Sequence, residues 1–268
     1  MSNKLYAFPP LSSSDFVDSH LLLYGNSLNH DNSPLWCGSD GPKEWERNSK
    51  DPEFAKLWAG THIEYTFNSN GYRCPEWGQV DWENSILLFG DSNIAGIGNP
   101  KRYTVSNFLS KYLNRPVINL GVGGCSNMFI MYNNAKIMEM GITPFAIVNV
   151  WTDPARILRF TSPRHAETGY NHTGTWNNDM SYHKFWLRDD LNAITHYRLI
   201  KKVSRELCST TKYIDFTTFN ESASEDLPDN CLPFLGDWAR DRMHSSRTTH
   251  KYWAKKIAGE FEKNDWLD

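Results

Sequence analysis

Three reactive side chains stand in two short stretches that lie far apart in the sequence. The stretch GDS, residues 90–92, follows the apolar run 86–89, and Asp241 precedes His244 by three residues in "DRMHSSRTTH". At this spacing a carboxylate can turn back onto the imidazole Nδ1 and leave Nε2 facing outward. A serine facing that nitrogen has a base and an orienting acid. The pattern predicts Ser92 as a nucleophile, His244 as its base and Asp241 as the orienter.

Ser92 and Asp241 also have purely structural interpretations. An Asp or Ser after a strand often caps the following helix, which would account for Asp91 and Ser92. Asp241 could form a salt bridge with Arg240 or Arg242 on either side of it. Ser92 is the better candidate for a nucleophile because its partners also occur in the chain.

A glycine-rich stretch, "NLGVGGCSN", follows the second apolar segment and includes Gly121, Gly123 and Gly124. Glycine lets the backbone approach a ligand closely, so its N–H groups could bind an oxyanion. The competing hypothesis is a dinucleotide site, whose fingerprint places an acid about 20 residues further on. The nearest acid at a strand end is Asp153, 32 residues after Gly121, so the nucleotide interpretation is the weaker one.

Alternating elements are predicted to bring these stretches together. Apolar segments and amphipathic segments alternate from residue 85 onward, which indicates a parallel sheet with helices on both faces. Ligands of such sheets bind at the carboxyl ends of the strands. The predicted strands are 86–89, 116–120, 145–151 and 212–219, and the predicted helices are 104–113, 127–141, 189–211 and 248–263.

The rest of the chain is predicted to surround this domain, 85–268. Residues 1–84 read as an N-terminal extension wrapped on it, with one or two short helices in 43–60, a strand at 62–67 and a turn after it. The polar, aromatic stretch 161–188 interrupts the alternation, and a lid or a surface excursion explains it equally well.

Composition narrows the class of protein. The chain has 268 residues, 40% of them apolar, and a net charge of −3, so it shows no electrostatic footprint for nucleic acid. No apolar run approaches the ~20 residues of a membrane span. Residues 1–16 do not resemble a signal peptide, which predicts a cytoplasmic protein. Five scattered cysteines are expected to be free thiols in a reducing compartment.

Together these stretches resemble the SGNH (GDSL) hydrolases. The resemblance rests on residues 90–92, Asn119 with Gly124, and Asp241 with His244, followed six residues later by His250, and it covers about residues 62–260. It implies a flavodoxin-like three-layer α/β/α sandwich that hydrolyses esters, often acyl groups on carbohydrates or lipids, without a metal or organic cofactor. It also implies that the N–H groups of Ser92 and Gly124 bind the oxyanion. His250 is expected to pack or cap rather than to act as a second base.

One stretch departs from that family. The family's G-x-N-D block has an Asn whose side chain donates to the oxyanion, and Asp153 stands at that place in Trp151-Thr152-Asp153. One such donor is worth ~3 kcal/mol, about a hundredfold in rate. Asp153 could be protonated, Thr152 could supply the donor, or fast chemistry could be lost. Arg156 could neutralise Asp153, which would make it structural.

The sequence therefore predicts a serine ester hydrolase that removes an O-acyl group, such as O-acetyl, from a small molecule or a carbohydrate. Substrate contacts are expected from residues beside the strand ends: Asp91, Asn93, Trp151 and Arg156. Two other classes stay open. The chain could be a binding or structural protein on the same fold, or a nucleotide-binding α/β domain. No membrane insertion, metal or cofactor is expected.

Overall fold

Four parallel strands form the central sheet. The computed structural model describes residues 22, 25–26, 33–160, 170–173, 190–219 and 230–267. The strands are β1 Ile86–Gly90, β2 Val117–Gly121, β3 Ala146–Trp151, β4 Ile157–Phe160, β5 Tyr170–Thr173 and β6 Lys212–Thr217. The helices are α1 Pro42–Asn48, α2 Pro52–Trp58, α3 Ser92–Ala95, α4 Val105–Leu113, α5 Asn127–Glu139, α6 Asp190–Leu207 and α7 Arg247–Lys263.

The strand order of this sheet is β2-β1-β3-β6, with every pair parallel. This is the order of a flavodoxin-like doubly wound sheet, so the predicted fold class is confirmed. β1 and β3 are buried along their whole length, which is why both read as continuous apolar runs. Gly90 lies opposite Gly121, so the ends of β1 and β2 and the loops that follow them meet at one edge.

Helices cover both faces of the sheet. Alternate residues of β1 point to opposite faces, so Leu87 and Phe89 join one buried cluster whereas Ile86 and Leu88 join the other. On the first face α5 and α6 contribute Phe129, Ile130, Ile137, Tyr197 and Ile200. On the second face α4 and α7 contribute Val105, Leu109, Trp253, Ile257 and Phe261.

A third cluster joins the N-terminal region to the loop after β1. Ile63 and Tyr65 pack there with Ala95 and Ile97. The expected strand at 62–67 is wrong, because the structure describes these residues as irregular chain. Their alternation reflects side chains that enter this cluster in turn, while the backbone bonds elsewhere, as Tyr65 N–H does to the carbonyl of Pro34 at 2.6 Å.

The predicted interruption at 161–188 lies outside the described residues except for β5, which pairs antiparallel with β4. Its role as a lid or as surface therefore stays a prediction. All five cysteines are free thiols, as expected. Among the residues placed by the structure, no helix combines the length and the apolar character needed to cross a membrane.

Candidate active site

Ser92, His244 and Asp241 form one continuous chain of hydrogen bonds. Ser92 Oγ donates to His244 Nε2 at 2.7 Å, and His244 Nδ1–H donates to Asp241 Oδ2 at 2.5 Å. Asp241 is fully buried, whereas Ser92 and the His244 side chain keep 8% and 13% of their surfaces exposed. Ser92 and the His244 imidazole therefore lie slightly nearer to the surface than the carboxylate of Asp241. The geometry is that of a nucleophile, a general base and an orienting acid.

The end of β1 places Ser92 at the start of a short helix. Asp91 is the N-cap of α3, and its Oδ1 accepts a hydrogen bond from Asn93 N–H at 2.9 Å. Ser92 is the first helical residue, so its own N–H has no intrahelical acceptor. The capping interpretation thus holds for Asp91, and among the described residues the backbone N–H of Ser92 has no acceptor, while its hydroxyl bonds to His244.

Asp91, which precedes Ser92, forms a buried ion pair. Its Oδ2 accepts from Arg156 Nη1 at 3.0 Å and from Thr152 Oγ1 at 3.0 Å. Burial raises the pKa of Asp91, but the charge of Arg156 and the bonds from Asn93 and Thr152 outweigh it, so the pKa lies below its usual value. Asp91 is an ionised structural group that fixes α3 to the end of β3.

A buried arginine holds the loop after α3. Arg73 donates to the carbonyls of Gly96 at 2.9 Å and Asn99 at 3.0 Å. Gly98 lies on this loop, and an added Cβ there would be 2.7 Å from the Ala239 side chain and 3.1 Å from Asp241 Oδ1. Only glycine lets the loop lie this close to the stretch that carries Asp241.

Two asparagines near Ser92 form hydrogen bonds to the residue that follows His244. Asn93 Oδ1 accepts from Ser245 N–H at 3.1 Å and from Ser245 Oγ at 2.8 Å. Asn99 Nδ2 donates to the Ser245 carbonyl at 2.9 Å. Because Ser245 follows His244 directly, these bonds fix the imidazole relative to Ser92. Asn93 therefore has a positioning role here, and its expected role as a substrate contact stays a prediction.

The glycine loop after β2 offers a second backbone donor. Gly124 has φ +70°, a left-handed conformation that glycine adopts without strain, and its N–H has no acceptor among the residues that the structure describes. Gly123 N–H instead donates to Asn26 Oδ1 at 2.7 Å. That bond occupies an N–H that a phosphate would need, which weighs against the nucleotide interpretation.

The stretch after β3 supplies no free side-chain donor from either expected residue. The Thr152 hydroxyl donates to Asp91, and Asp153 Oδ1 accepts from Ala155 N–H at 2.8 Å within its own turn. Arg156 forms its ion pair with Asp91, and among the described residues no ion pair joins it to Asp153, so the possible neutralisation of Asp153 by Arg156 finds no support. The Arg156 guanidinium instead points toward the end of β1, where Asp91 lies.

The structure also bears on the expectations for Trp151, Asp241 and His250. Trp151 is fully buried and packs edge-on against Tyr197 at 6.2 Å, so its expected contact with substrate is wrong. The salt bridges considered for Asp241 are wrong as well, because Arg240 pairs with Asp40 and Arg242 with Asp51. His250 is a buried residue of α7. Its Nδ1 donates to the Tyr103 carbonyl at 2.9 Å, in line with a packing role.

A cavity of about 320 Å³ adjoins the site. Its wall includes the neighbours of the nucleophile, Asp91 and Asn93, and those of the histidine, Met243 and Ser245. Two aromatic side chains at its rim, Phe234 and Trp238, are each 44% exposed and lie 4.5 Å apart between ring centroids. The other lining residues are Thr152, Asp153, Arg156, Thr218, Phe219, Leu232 and Trp253.

Sequence reasoning missed two residues that contact the site. Ser39 Oγ donates to Asp241 Oδ2 at 2.6 Å, and Asn127 exchanges two 2.8 Å bonds with the backbone of Thr152. Asn127 opens a helix directly after the glycine loop, a position at which a polar side chain could have drawn notice. Ser39 stands in the loop-like stretch "CGSDGP" and gave no signal.

Comparisons with known proteins give distant likenesses only. No family model and no curated protein sequence matches the chain. An acetyl xylan esterase, Est2A, from Butyrivibrio proteoclasticus is 14% identical with a TM-score of 0.43, over 70% of this chain and 66% of that one. A family two carbohydrate esterase from Clostridium thermocellum, in complex with cellohexaose, is 12% identical with a TM-score of 0.34, over 69% and 66%.

A third structure is a member of the lipolytic protein G-D-S-L family from Veillonella parvula. It is 17% identical with a TM-score of 0.33, over 67% of this chain and 98% of that one. Since the TM-scores are below 0.5, we draw neither activity nor substrate from these likenesses.

Proposed function

We propose that the protein is a serine ester hydrolase that removes a small O-acyl group, such as acetyl, from a carbohydrate. The observation that carries the proposal is the hydrogen-bonded chain from Ser92 through His244 to Asp241 at the carboxyl ends of the strands. The triad is recognised by geometry and by the role of each member. The same arrangement is what the resemblance to the SGNH hydrolases implies.

The proposed reaction has two steps. Ser92 Oγ attacks the ester carbonyl carbon while His244 Nε2 takes its proton, and the N–H groups of Ser92 and Gly124 bind the oxyanion. His244 then gives that proton to the departing alcohol, which leaves an acyl group on Ser92. Water attacks this acyl group, His244 takes the proton of the water, and the acid departs as Ser92 regains its proton.

The cavity beside the triad supports a carbohydrate as the alcohol. Its volume of about 320 Å³ falls at the small end of ligand sites and suits one or two sugar units. The exposed rings of Phe234 and Trp238 offer an apolar face for the C–H side of a pyranose. Asp153, Arg156 and Thr218 at the wall offer hydrogen bonds for its hydroxyl groups.

The test combines a covalent probe with hydrolysis. The full chain, Ser92→Ala, His244→Ala and a control, Ser49→Ala at the C-cap of α1, are treated with a fluorophosphonate and assayed on 4-nitrophenyl acetate and on acetylated oligosaccharides. We expect labelling of Ser92 in the wild type and the control, and a loss of kcat of up to about a million-fold in both triad variants. Hydrolysis retained by a folded Ser92→Ala protein would refute the proposal.

A second candidate function is binding of an acylated carbohydrate without turnover. The observation that favours it is the lack of a free donor from Thr152 or Asp153 at the expected third oxyanion position. In that case the wild type would bind acetylated oligosaccharides in calorimetry but release no acetate. Acetate release that depends on Ser92 decides for the hydrolase.

A further inference from the structure

A serine from the N-terminal region contacts the orienting acid of the proposed triad. Ser39 Oγ donates to Asp241 Oδ2 at 2.6 Å, and it also lies 3.4 Å from His244 Nδ1. Ser39 and Asp241 are separated by 202 positions in the chain. The contact is therefore made by the tertiary fold and not by a local turn.

The neighbouring residues anchor Ser39 at this point. Asp40 Oδ1 and Oδ2 accept from Arg240 Nε at 2.8 Å and Nη2 at 2.6 Å, and Tyr65 Oη donates to the same carboxylate at 2.6 Å. Arg240 Nη2 also donates to the carbonyl of Leu35 at 2.8 Å. Since Ser39 precedes Asp40 and Asp241 follows Arg240, the buried ion pair sets the serine opposite the acid.

The carboxylate of Asp241 has about four acceptor positions, and each one is used. Oδ1 accepts from the N–H groups of Met243 at 3.0 Å and His244 at 3.2 Å. Oδ2 accepts from His244 Nδ1 and from Ser39. Without Ser39, one lone pair of a fully buried carboxylate would have no donor, and Oδ2 would be held by the imidazole alone.

The same bonds keep Asp241 ionised. Burial raises the pKa of Asp241, but the bond and charge of His244 and the bond from Ser39 outweigh that effect, so the pKa lies below its usual value. A charge-assisted bond of this kind is stronger than one between neutral groups. Loss of the bond from Ser39 should therefore change how Asp241 orients the His244 imidazole.

We propose that Ser39 is a positioning residue of the hydrolase, which holds the Asp241 carboxylate in the orientation that directs His244 Nε2 at Ser92. This proposal rests on the proposed function. It makes the segment 33–41 part of the active site, although this segment precedes the sheet. Ser39 acts through Asp241 and does not touch the substrate.

The competing role for Ser39 is purely structural. A hydroxyl that only satisfies a buried carboxylate would contribute to folding stability and leave the turnover of the folded enzyme unchanged. The two roles predict different kinetics. A positioning role lowers kcat in Ser39→Ala at nearly constant KM, and Ser39→Thr, which keeps a hydroxyl, has a kcat near that of wild type. A structural role leaves kcat of the folded variants unchanged.

The experiment measures kcat and KM on 4-nitrophenyl acetate, and the melting temperature, for wild type, Ser39→Ala, Ser39→Thr and the control Ser49→Ala. The Ser49 hydroxyl donates to the carbonyl of Glu46, within its own helix end, and lies outside the proposed site. We expect Ser39→Ala to lower kcat about tenfold to a hundredfold, with KM within about twofold. Ser39→Thr should recover most of kcat, and the control should match wild type. Equal kcat in folded wild type and Ser39→Ala would overturn the proposal.

Two additions keep the outcome clear. If Ser39→Ala does not fold, Ser39→Cys keeps the packing with a weaker donor, and kcat unchanged in that variant would count against the proposal. The fluorophosphonate labelling of wild-type Ser92 separates the two proposals. A wild type that is labelled and active while Ser39→Ala equals it refutes only the role of Ser39. A wild type that is neither labelled nor active refutes the proposed function and this role with it.

Discussion

At the scale of single residues, the buried ion pair of Asp91 and Arg156 next to Ser92 is expected to contribute strongly to folding stability. The two side chains are 4% and 18% exposed, so Arg156→Met leaves a charged carboxylate in the interior. We expect a loss of about 3 kcal/mol in the free energy of unfolding. Adding Asp91→Asn should restore part of it, because no unpaired charge then remains. Urea denaturation of the two single variants and the double variant measures this coupling.

A matched control for that pair lies on the surface. Arg242 contacts Asp51 at 3.0 Å with exposures of 45% and 39%. Arg242→Met should cost much less free energy of unfolding than Arg156→Met, because exposed ion pairs contribute little to stability. Equal losses for Arg242→Met and Arg156→Met would show that burial of the Asp91 pair has no special effect on stability.

Asp153 is the residue that the sequence analysis places at the third oxyanion position of the proposed hydrolase. Its Oδ1 accepts from Ala155 N–H, and the amide oxygen of an asparagine can accept the same bond. Asp153→Asn should therefore leave the melting temperature nearly unchanged. It should raise kcat on a small ester, by up to about a hundredfold, since a carboxylate oxygen beside the cavity becomes an N–H donor.

Steady-state kinetics on 4-nitrophenyl acetate, with melting temperatures for both proteins, check the expectation for Asp153. The same kcat with a lower melting temperature would assign Asp153 to its turn alone. The search for a third oxyanion donor would then move to Thr152, whose hydroxyl now bonds to Asp91.

At the scale of elements, the last helix is capped by a residue from an earlier loop. Asp237 accepts from the N–H groups of Thr248 at 2.6 Å and Thr249 at 3.0 Å, and from the Thr249 hydroxyl. The N-cap position itself, Ser246, makes no side-chain capping bond. Asp237 thus satisfies N–H groups of the first turn of α7 that would otherwise lack acceptors.

Loss of that cap should weaken α7. Asp237→Ala should lower the free energy of unfolding by about 1–2 kcal/mol, whereas Asp237→Asn, which keeps an acceptor oxygen, should lose less. Urea denaturation gives both values. Identical losses in the two variants would mean that the capping bonds contribute little.

The sheet could be predicted because buried parallel strands read as short apolar runs followed by glycine or polar residues. That rule located β1, β2 and β3 within about one residue of their observed ends. The strand expected at 62–67 rested on a different pattern, alternation, and it was wrong because alternation reports which side chains are buried but not whether a neighbouring strand exists to pair with. Ile63 and Tyr65 are buried against a loop.

The site could be predicted in part for a related reason. The spacing of Asp241 and His244 is local, so the sequence shows it directly, and strand order brings Ser92 to them. The contact of Ser39 with Asp241 depends on the ion pair of Asp40 with Arg240, 200 positions away. Nothing local marks such a pair, so this layer of the site needed the structure.

At the scale of the whole molecule, a buried histidine couples stability to pH. His250 is fully buried, and burial lowers its pKa from 6.5 to about 4, although the bond to Tyr103 and the charge of Asp237 oppose this; His244 and Arg73 add to the lowering. The unfolded chain therefore binds a proton first as the pH falls. The free energy of unfolding should drop between pH 6.5 and about 4, by up to about 3 kcal/mol, and this contribution should then stay constant.

The variant His250→Asn tests that coupling, because the amide can still donate to the Tyr103 carbonyl but does not titrate. Its absolute stability will be lower, so the measurement is the slope of unfolding free energy against pH from 7 to 4. We expect a shallower slope than in wild type. Asp91 and Asp241, whose pKa values are lowered, lose their stabilising contributions at still lower pH in both proteins. An unchanged slope would contradict the assignment to His250.

The position of α7 has a consequence for how the chain is made. One face of the sheet, with Ile86, Leu88 and Val148, is closed by Trp253, Ile257 and Phe261 of that helix. A ribosome delivers the strands long before it delivers residues 247–263. Until then the apolar side chains that α7 covers stay exposed on the nascent chain. Partial products would therefore be prone to aggregate, so we expect them to need chaperones until the last helix has been made.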